Sequence, residues 1–195
     1  MMTLRCTRRL MDYLDTGFAA DLACGETQPL LGDWYVNLLR HRRAALALCV
    51  NEKTRYAIVI PLKGCKTIPQ LYIRLAQRIY DAMRRLGIAD EVARRVLDQH
   101  RGGVRVAPTA SRSVLGTMND LAKAVTWYLD GQPRHVLPDD LSGLDRDPNM
   151  VPHRPLGWAN ATDRLIELCA GRWTTEAGSV RTARWRSTDS QHEDG

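Results

Sequence analysis

Residues 112–120, RSVLGTMND, set an arginine, two hydroxyls, a glycine, an amide and a carboxylate directly before an apolar helical run. An arginine beside the unpaired backbone N–H groups of a helix N-terminus makes an anion site, since the helix dipole favours negative charge there. Arg112 and Ser113 would hold such an anion, with Asn119 and Asp120 as further polar candidates. Two other segments offer partners: Asp33, Tyr35 and Asn37 alternate in DWYVN, and Asn51, Glu52 and Lys53 begin NEKT. If Asp33 or Glu52 met a phosphate held by Arg112, the set would have the general base and the electrostatic clamp of a metal-independent phosphate reaction.

The same residues have structural uses. Thr117 followed by Asp120 matches the capping-box pattern, and Gly116 before it allows a sharp lead into the helix. In that arrangement Asp120 puts a negative charge where a phosphate would sit, and Arg112 is as well explained by an ion pair. Asn51 suits a hairpin because it tolerates left-handed backbone angles, while its charged neighbours prefer solvent.

A second set is purely basic. Arg74, Arg78 and Arg85 fall along one side of a helical run, and Arg94 and Arg95 follow on the next. Arginines that reach phosphates steepen the salt dependence of nucleic-acid binding. Asp81, Glu91 and Asp98, however, stand three or four residues from these arginines, as on a solvated helix face. The net charge of +6 is uneven. Residues 1–130 hold 20 Lys and Arg against 12 Asp and Glu, whereas residues 131–195 hold 8 against 10. The basic body suits nucleic acid or another acidic partner.

Other chemistry is not indicated. There is no G-x-G-x-x-G and no P-loop, so no nucleotide cofactor is expected. The run from Asp145 to Leu156 begins like a calcium loop but has Met150 and Leu156 where glycine and glutamate are required. The histidines lack i,i+4 spacing, and the five cysteines form no C-x-x-C pair, so no metal is expected and the thiols read as buried. No run approaches a membrane span and the N-terminus lacks a continuous apolar stretch, so no membrane association is expected and the expected compartment is the cytoplasm.

The elements that must position these residues can be read in outline. WYVNLLRH, RAALALCV and RYAIVIPL are apolar, partly alternating runs separated by short turns, which predicts a three-stranded antiparallel meander over 33–62. The period becomes helical from Pro69 to Gly87, and DEVARRVLDQH predicts a second helix. TLRCTRRL is read as an edge strand or a lead-in turn, GVRVAPT as a fourth strand, LAKAVTWYLDG as a third helix and ATDRLIELCAG as a last short one.

PLLGDWYVNLL, VNEKTRYAIVIP, RSVLGTMNDL and PNMVPHRPLGW, in this order and spacing, resemble an uncharacterised bacterial domain-of-unknown-function family over roughly residues 1 to 158. Its segments are similar to L-G-D-W-Y-x-N-L-L, N-E-K-T and N-R-S-x-L-G-S-M-N-D. Ser111 departs from the asparagine often found before the arginine, and the tail is long. The resemblance implies an α+β domain and no particular activity. The polar residues it marks as shared are Asp33, Trp34, Tyr35, Asn37, Asn51, Glu52, Lys53, Thr54, Arg112, Ser113, Asn119 and Asp120.

The expected fold is therefore α+β: a four- to five-stranded antiparallel sheet packed against about three helices. A core domain spans 1–132, and a Pro-rich extension with a short helix packed on the core spans 133–172. Residues 173–195 are expected to form a disordered tail. The expected function is binding or regulation through a basic surface on nucleic acid or a nucleic-acid-handling partner. Alternatives are a small metal-independent nuclease or phosphate-handling enzyme, and a phage or mobile-element accessory protein that binds or inhibits a host protein. Catalysis is not the favoured reading, and oligomeric state is not legible.

Overall fold

A computed structural model describes residues 2–16, 29–100, 103–131, 148–152 and 154–177. The meander is present as β2 (Trp34–His41), β3 (Ala44–Asn51) and β4 (Ala57–Pro61), antiparallel in register from Trp34↔Asn51 to Val50↔Ala57. Two further strands join it. β1 (Met2–Cys6) runs parallel to β2, with Arg5 opposite Tyr35, and β5 (Val104–Pro108) runs parallel to β1. The sheet order is β4-β3-β2-β1-β5.

The expected antiparallel sheet is thus corrected to a mixed one, and β1 is an interior strand. Parallel neighbours need a crossover and leave no hairpin signal in the sequence. The helices also exceed the expected three and lie on both faces. They are α1 (Arg8–Tyr13), α2 (Ile68–Arg85), α3 (Asp90–His100), α4 (Arg112–Asp130) and α5 (Ala161–Ala177), with a 3-10 turn at Arg154–Leu156.

Alternation along the strands divides the apolar residues between two cores. On one face Leu4, Trp34, Val36, Cys49, Ile58 and Ile60 pack with residues of α2, α3 and α5. On the other, Tyr35, Leu46, Leu48, Val50 and Val59 meet Val114, Met118, Leu121, Val125 and Leu129 of α4. Because α4 lies over β2 and β3, its N-terminus stands at the sheet end where β1 and β5 finish and β2 begins.

At Ala57 the outer edge of β4 is capped by a side chain. Asn149, fully buried, accepts from the Ala57 N–H at 2.6 Å and donates to the Ala57 carbonyl at 2.8 Å. Its carboxamide does for this strand what a neighbouring strand would do. Asn149 lies in PNM, in the Pro-rich stretch that follows α4 in the sequence. Residues 132–147 and 178–195 fall outside the described residues, and α5 extends to Ala177, beyond the Gly171 at which the sequence pattern ends.

Cys6, Cys49, Cys65 and Cys169 are buried free thiols. Burial pushes Cys6 and Cys169 from 9.0 up to about 12. Both should resist maleimide labelling at pH 8 until denaturant is added; rapid labelling of the folded chain would contradict their burial. Since the folded pKa is raised, the associated stability is fully present below pH 9.0 and is lost as pH rises towards about 12.

Candidate functional site

The polar residues of DWYVN, NEKT and RSVLGTMND meet in part at the sheet end beside α4. Tyr35 points to the α4 face and Trp34 to the opposite core, as alternation requires. The Tyr35 hydroxyl accepts from the Ser111 N–H at 3.1 Å, which ties β2 to the start of α4. Arg5, opposite Tyr35 across the parallel pair, lies over the tyrosine ring at 5.9 Å and donates through Nε to Asp33 at 2.8 Å. Asn37, one step further along the same face, accepts from Thr7 Oγ1 at 2.9 Å.

Asn51 is a structural hub rather than a contact residue. Fully buried, it accepts through Oδ1 from Lys53 N–H, Thr54 N–H and Thr54 Oγ1–H at 3.1, 2.9 and 3.0 Å. Its Nδ2 donates to the Leu31 carbonyl at 2.8 Å and to that of Asp33 at 3.4 Å. One carboxamide therefore joins LGD to NEKT. The left-handed residue of this turn is Arg55, φ 61°, not Asn51, whose side chain rather than its backbone freedom explains its position.

Arg55 was not among the residues singled out by sequence, yet it connects NEKT to α4. It is buried, 9% exposed, and donates to the Glu52 carbonyl and, through Nη2, to Ser113 Oγ at 3.3 Å. Its Nε is enclosed without a partner. Burial lowers its pKa from the ordinary arginine value, opposed by the nearby charges of Glu52 and Tyr35. The sequence signal was available, since the arginine directly follows NEKT, but nothing local distinguishes it from a solvated charge.

The start of α4 differs from the capping-box expectation. Ser111 is the N-cap, with Oγ accepting from Val114 N–H at 3.3 Å. Thr117 and Gly116 lie within the helix, and Thr117 donates back to the Ser113 carbonyl at 3.3 Å. Starting at Thr117 would leave Val114 out of the stripe that covers the sheet, and its complete burial outweighs the roughly 1 kcal/mol cost of a glycine inside a helix. Asp120 consequently sits two turns from the N-terminus, and the first turn of α4 holds no acid. Arg112 and Ser113 are exposed at the first two helical positions.

Some candidates do not join this group. Asn119 and Asp120 are exposed further along α4, with Asp120 3.7 Å from Lys123. Lys53 lays its chain across Gly32, φ +71°, and donates to the Leu30 carbonyl at 3.2 Å. It lines a cleft of about 540 Å³ with Thr54, Arg164, Glu167, Leu168 and Gly171.

The arginines of α2 and α3 belong to the opposite layer. Arg74 donates to the carbonyls of Pro61 and Lys63 at 2.8 and 3.1 Å, so it fastens the β4–α2 connection. Arg78 is half-buried, while Arg85, Arg94 and Arg95 are exposed. Arg94 and Arg84 both approach Asp90, at 2.6 and 3.4 Å. The Tyr80 hydroxyl, 2.7 Å away, and then Arg94 hold the Asp90 carboxyl below its usual value.

With this geometry the sequence can be placed among known proteins. The profile of DUF6933, a domain of unknown function, matches residues 3–163. The chain belongs to the DUF6933 family. The DUF6933 match runs from β1 into α5 and includes the DWYVN, NEKT, RSVLGTMND and PNM segments. No curated protein and no solved structure matches the chain.

Proposed function

We propose that this chain is a binding or regulatory protein that acts on nucleic acid, or on a nucleic-acid-handling partner, through a basic surface at the α2–α3 corner. The observation that supports this most is the crowding around Asp90. The turn after α2 places Arg84 and Arg94 against one carboxylate, and exposed Arg85 and Arg95 follow each of them in the chain. Two guanidiniums share the Asp90 carboxylate, and the exposed Arg85 and Arg95 stand beside Asp81, Glu91 and Asp98, so the corner presents a cluster of guanidiniums rather than a large net charge. A polyanion docking there gains by releasing its condensed counterions.

Arg74 is set apart from this surface, since its Nη1 fastens two backbone carbonyls of the β4–α2 connection. The informative variant is therefore Arg85→Glu with Arg95→Glu, which leaves the Asp90 contacts in place. It should melt with the wild type, lose about tenfold or more in nucleic-acid affinity at low salt, and show a salt slope reduced by about one per lost phosphate contact. Unchanged affinity would remove the corner as the site.

A second reading, a small phosphate-handling enzyme, draws on the gathering of Asp33, Tyr35, Arg55 and Ser113 at the α4 end. Asp33 as general base would first have to leave its 2.8 Å contact with Arg5.

A further inference from the structure

We propose that the N-terminal end of α4 is a binding site for a phosphate-type oxyanion. The groups that would hold it are the backbone N–H groups of Arg112 and Ser113, the Ser113 hydroxyl, and the guanidiniums of Arg112 and Arg55. The site lies on the other layer from the α2–α3 corner and requires no turnover.

Three observations converge on it. First, Ser111 satisfies the N–H groups of Val114 and Leu115, and those of Arg112 and Ser113 meet no acceptor among the described residues. These are the outward-pointing donors to which the positive end of a helix draws anions. Second, Arg55 brings a nine-tenths buried cation to the same place. Its Nη2 reaches Ser113 Oγ, its Nε is enclosed without a partner, and no carboxylate lies within ion-pair distance of it among the described residues. A guanidinium that has lost its water and gained no hydrogen-bonded carboxylate favours an incoming anion.

Third, apart from Glu52, whose charge acts on Arg55 from beyond ion-pair distance, the competing negative charges are placed elsewhere. The first turn of α4 has none, Asp33 is held by Arg5, and Asp120 is two turns away beside Lys123. Arg112, exposed and without a partner among the described residues, can close over the ligand from solvent. Because Ser113 Oγ accepts from Arg55, its own proton remains to be donated. A tetrahedral oxyanion fits this arrangement: one oxygen can meet the helix amides while another meets a guanidinium in fork geometry.

The test is calorimetric titration of the full chain with inorganic phosphate at constant ionic strength, against a sodium chloride control. A dinucleotide with and without a 5′-phosphate is titrated in parallel. Phosphate should bind saturably, and Ser113→Ala and Arg112→Gln should each weaken it about tenfold, as the loss of one charge-assisted hydrogen bond does. Both substitutions are at exposed positions and leave the Ser111 cap in place. Tighter binding of the phosphorylated dinucleotide assigns the site to a nucleic-acid end, and tighter binding of inorganic phosphate to the free ion; either supports the proposal. Phosphate no more effective than chloride, or binding that survives both substitutions, overturns it. The Arg85→Glu/Arg95→Glu protein should bind phosphate normally, so failure here is separable from failure of the α2–α3 surface.

Discussion

Replacing Asn149 with alanine is expected to cost the fold about 3 kcal/mol, because two buried backbone groups each lose a partner worth roughly 1–3 kcal/mol when left unsatisfied. Those groups are the N–H and carbonyl of Ala57, and both point outward from the last strand of the sheet. Leucine at 149 should be nearly as costly, since it fills the volume without offering a donor or acceptor. Aspartate retains the acceptor for the Ala57 N–H but faces the Ala57 carbonyl with negative charge, so it should not rescue. Urea unfolding checks this: the midpoint should fall while the slope is unchanged, because the surface exposed on unfolding is the same. A loss under about 1 kcal/mol would mean that water replaces the carboxamide at this edge.

The second large effect is expected at Asn51. Alanine there removes the acceptor for three donors of the Lys53–Thr54 turn and the donor to Leu31 and Asp33, all at a fully buried position. The expected cost is about 3–4 kcal/mol, towards the upper end for a single substitution because a whole buried network is broken. Hydrogen exchange gives a local check. The amides of Lys53 and Thr54 should lose protection first, before the strand amides of β3. Uniform loss of protection would instead show that Asn51 supports the fold globally rather than this turn. As the turn also carries Arg55 to Ser113, the variant should weaken phosphate binding as well.

Asn149 and Asn51 also show where the sequence is legible. Both belong to segments that mark the family resemblance, yet their roles depend on partners 92 and 20 residues away, which no local pattern announces. The meander and the two helices after it were readable because their signals are local: alternation, short turns, and helical period between Pro69 and Gly87. β1 was ambiguous because its pairings join Leu4 to Trp34 and Met2 to Val104. The helix start at Ser111 was missed because Thr117 and Asp120 satisfy the same capping rule. Only the burial of Val114 against the sheet decides between the two.

For the site, the alternation of Trp34 and Tyr35 between the two faces follows from the strand pattern, whereas the contact of Tyr35 with Ser111 at the start of α4 has no signal in the sequence. Arg5 and Arg55, which link these residues, did not stand out among 24 arginines. The same abundance gave no sign that Arg74 fastens a loop through Nη1. Charge type alone does not separate an arginine that meets a ligand from one that meets a carbonyl; the partner does.

The most direct measurement on the central claim is fluorescence anisotropy of the full chain with labelled single- and double-stranded DNA and RNA at about 50 and 200 mM salt, where each phosphate contact contributes to the slope. Binding at the lower salt that weakens steeply at the higher, with the strands left intact, is the predicted result. No binding to any of the four at the lower salt would contradict direct nucleic-acid binding, and binding accompanied by strand cleavage would replace it with the enzyme.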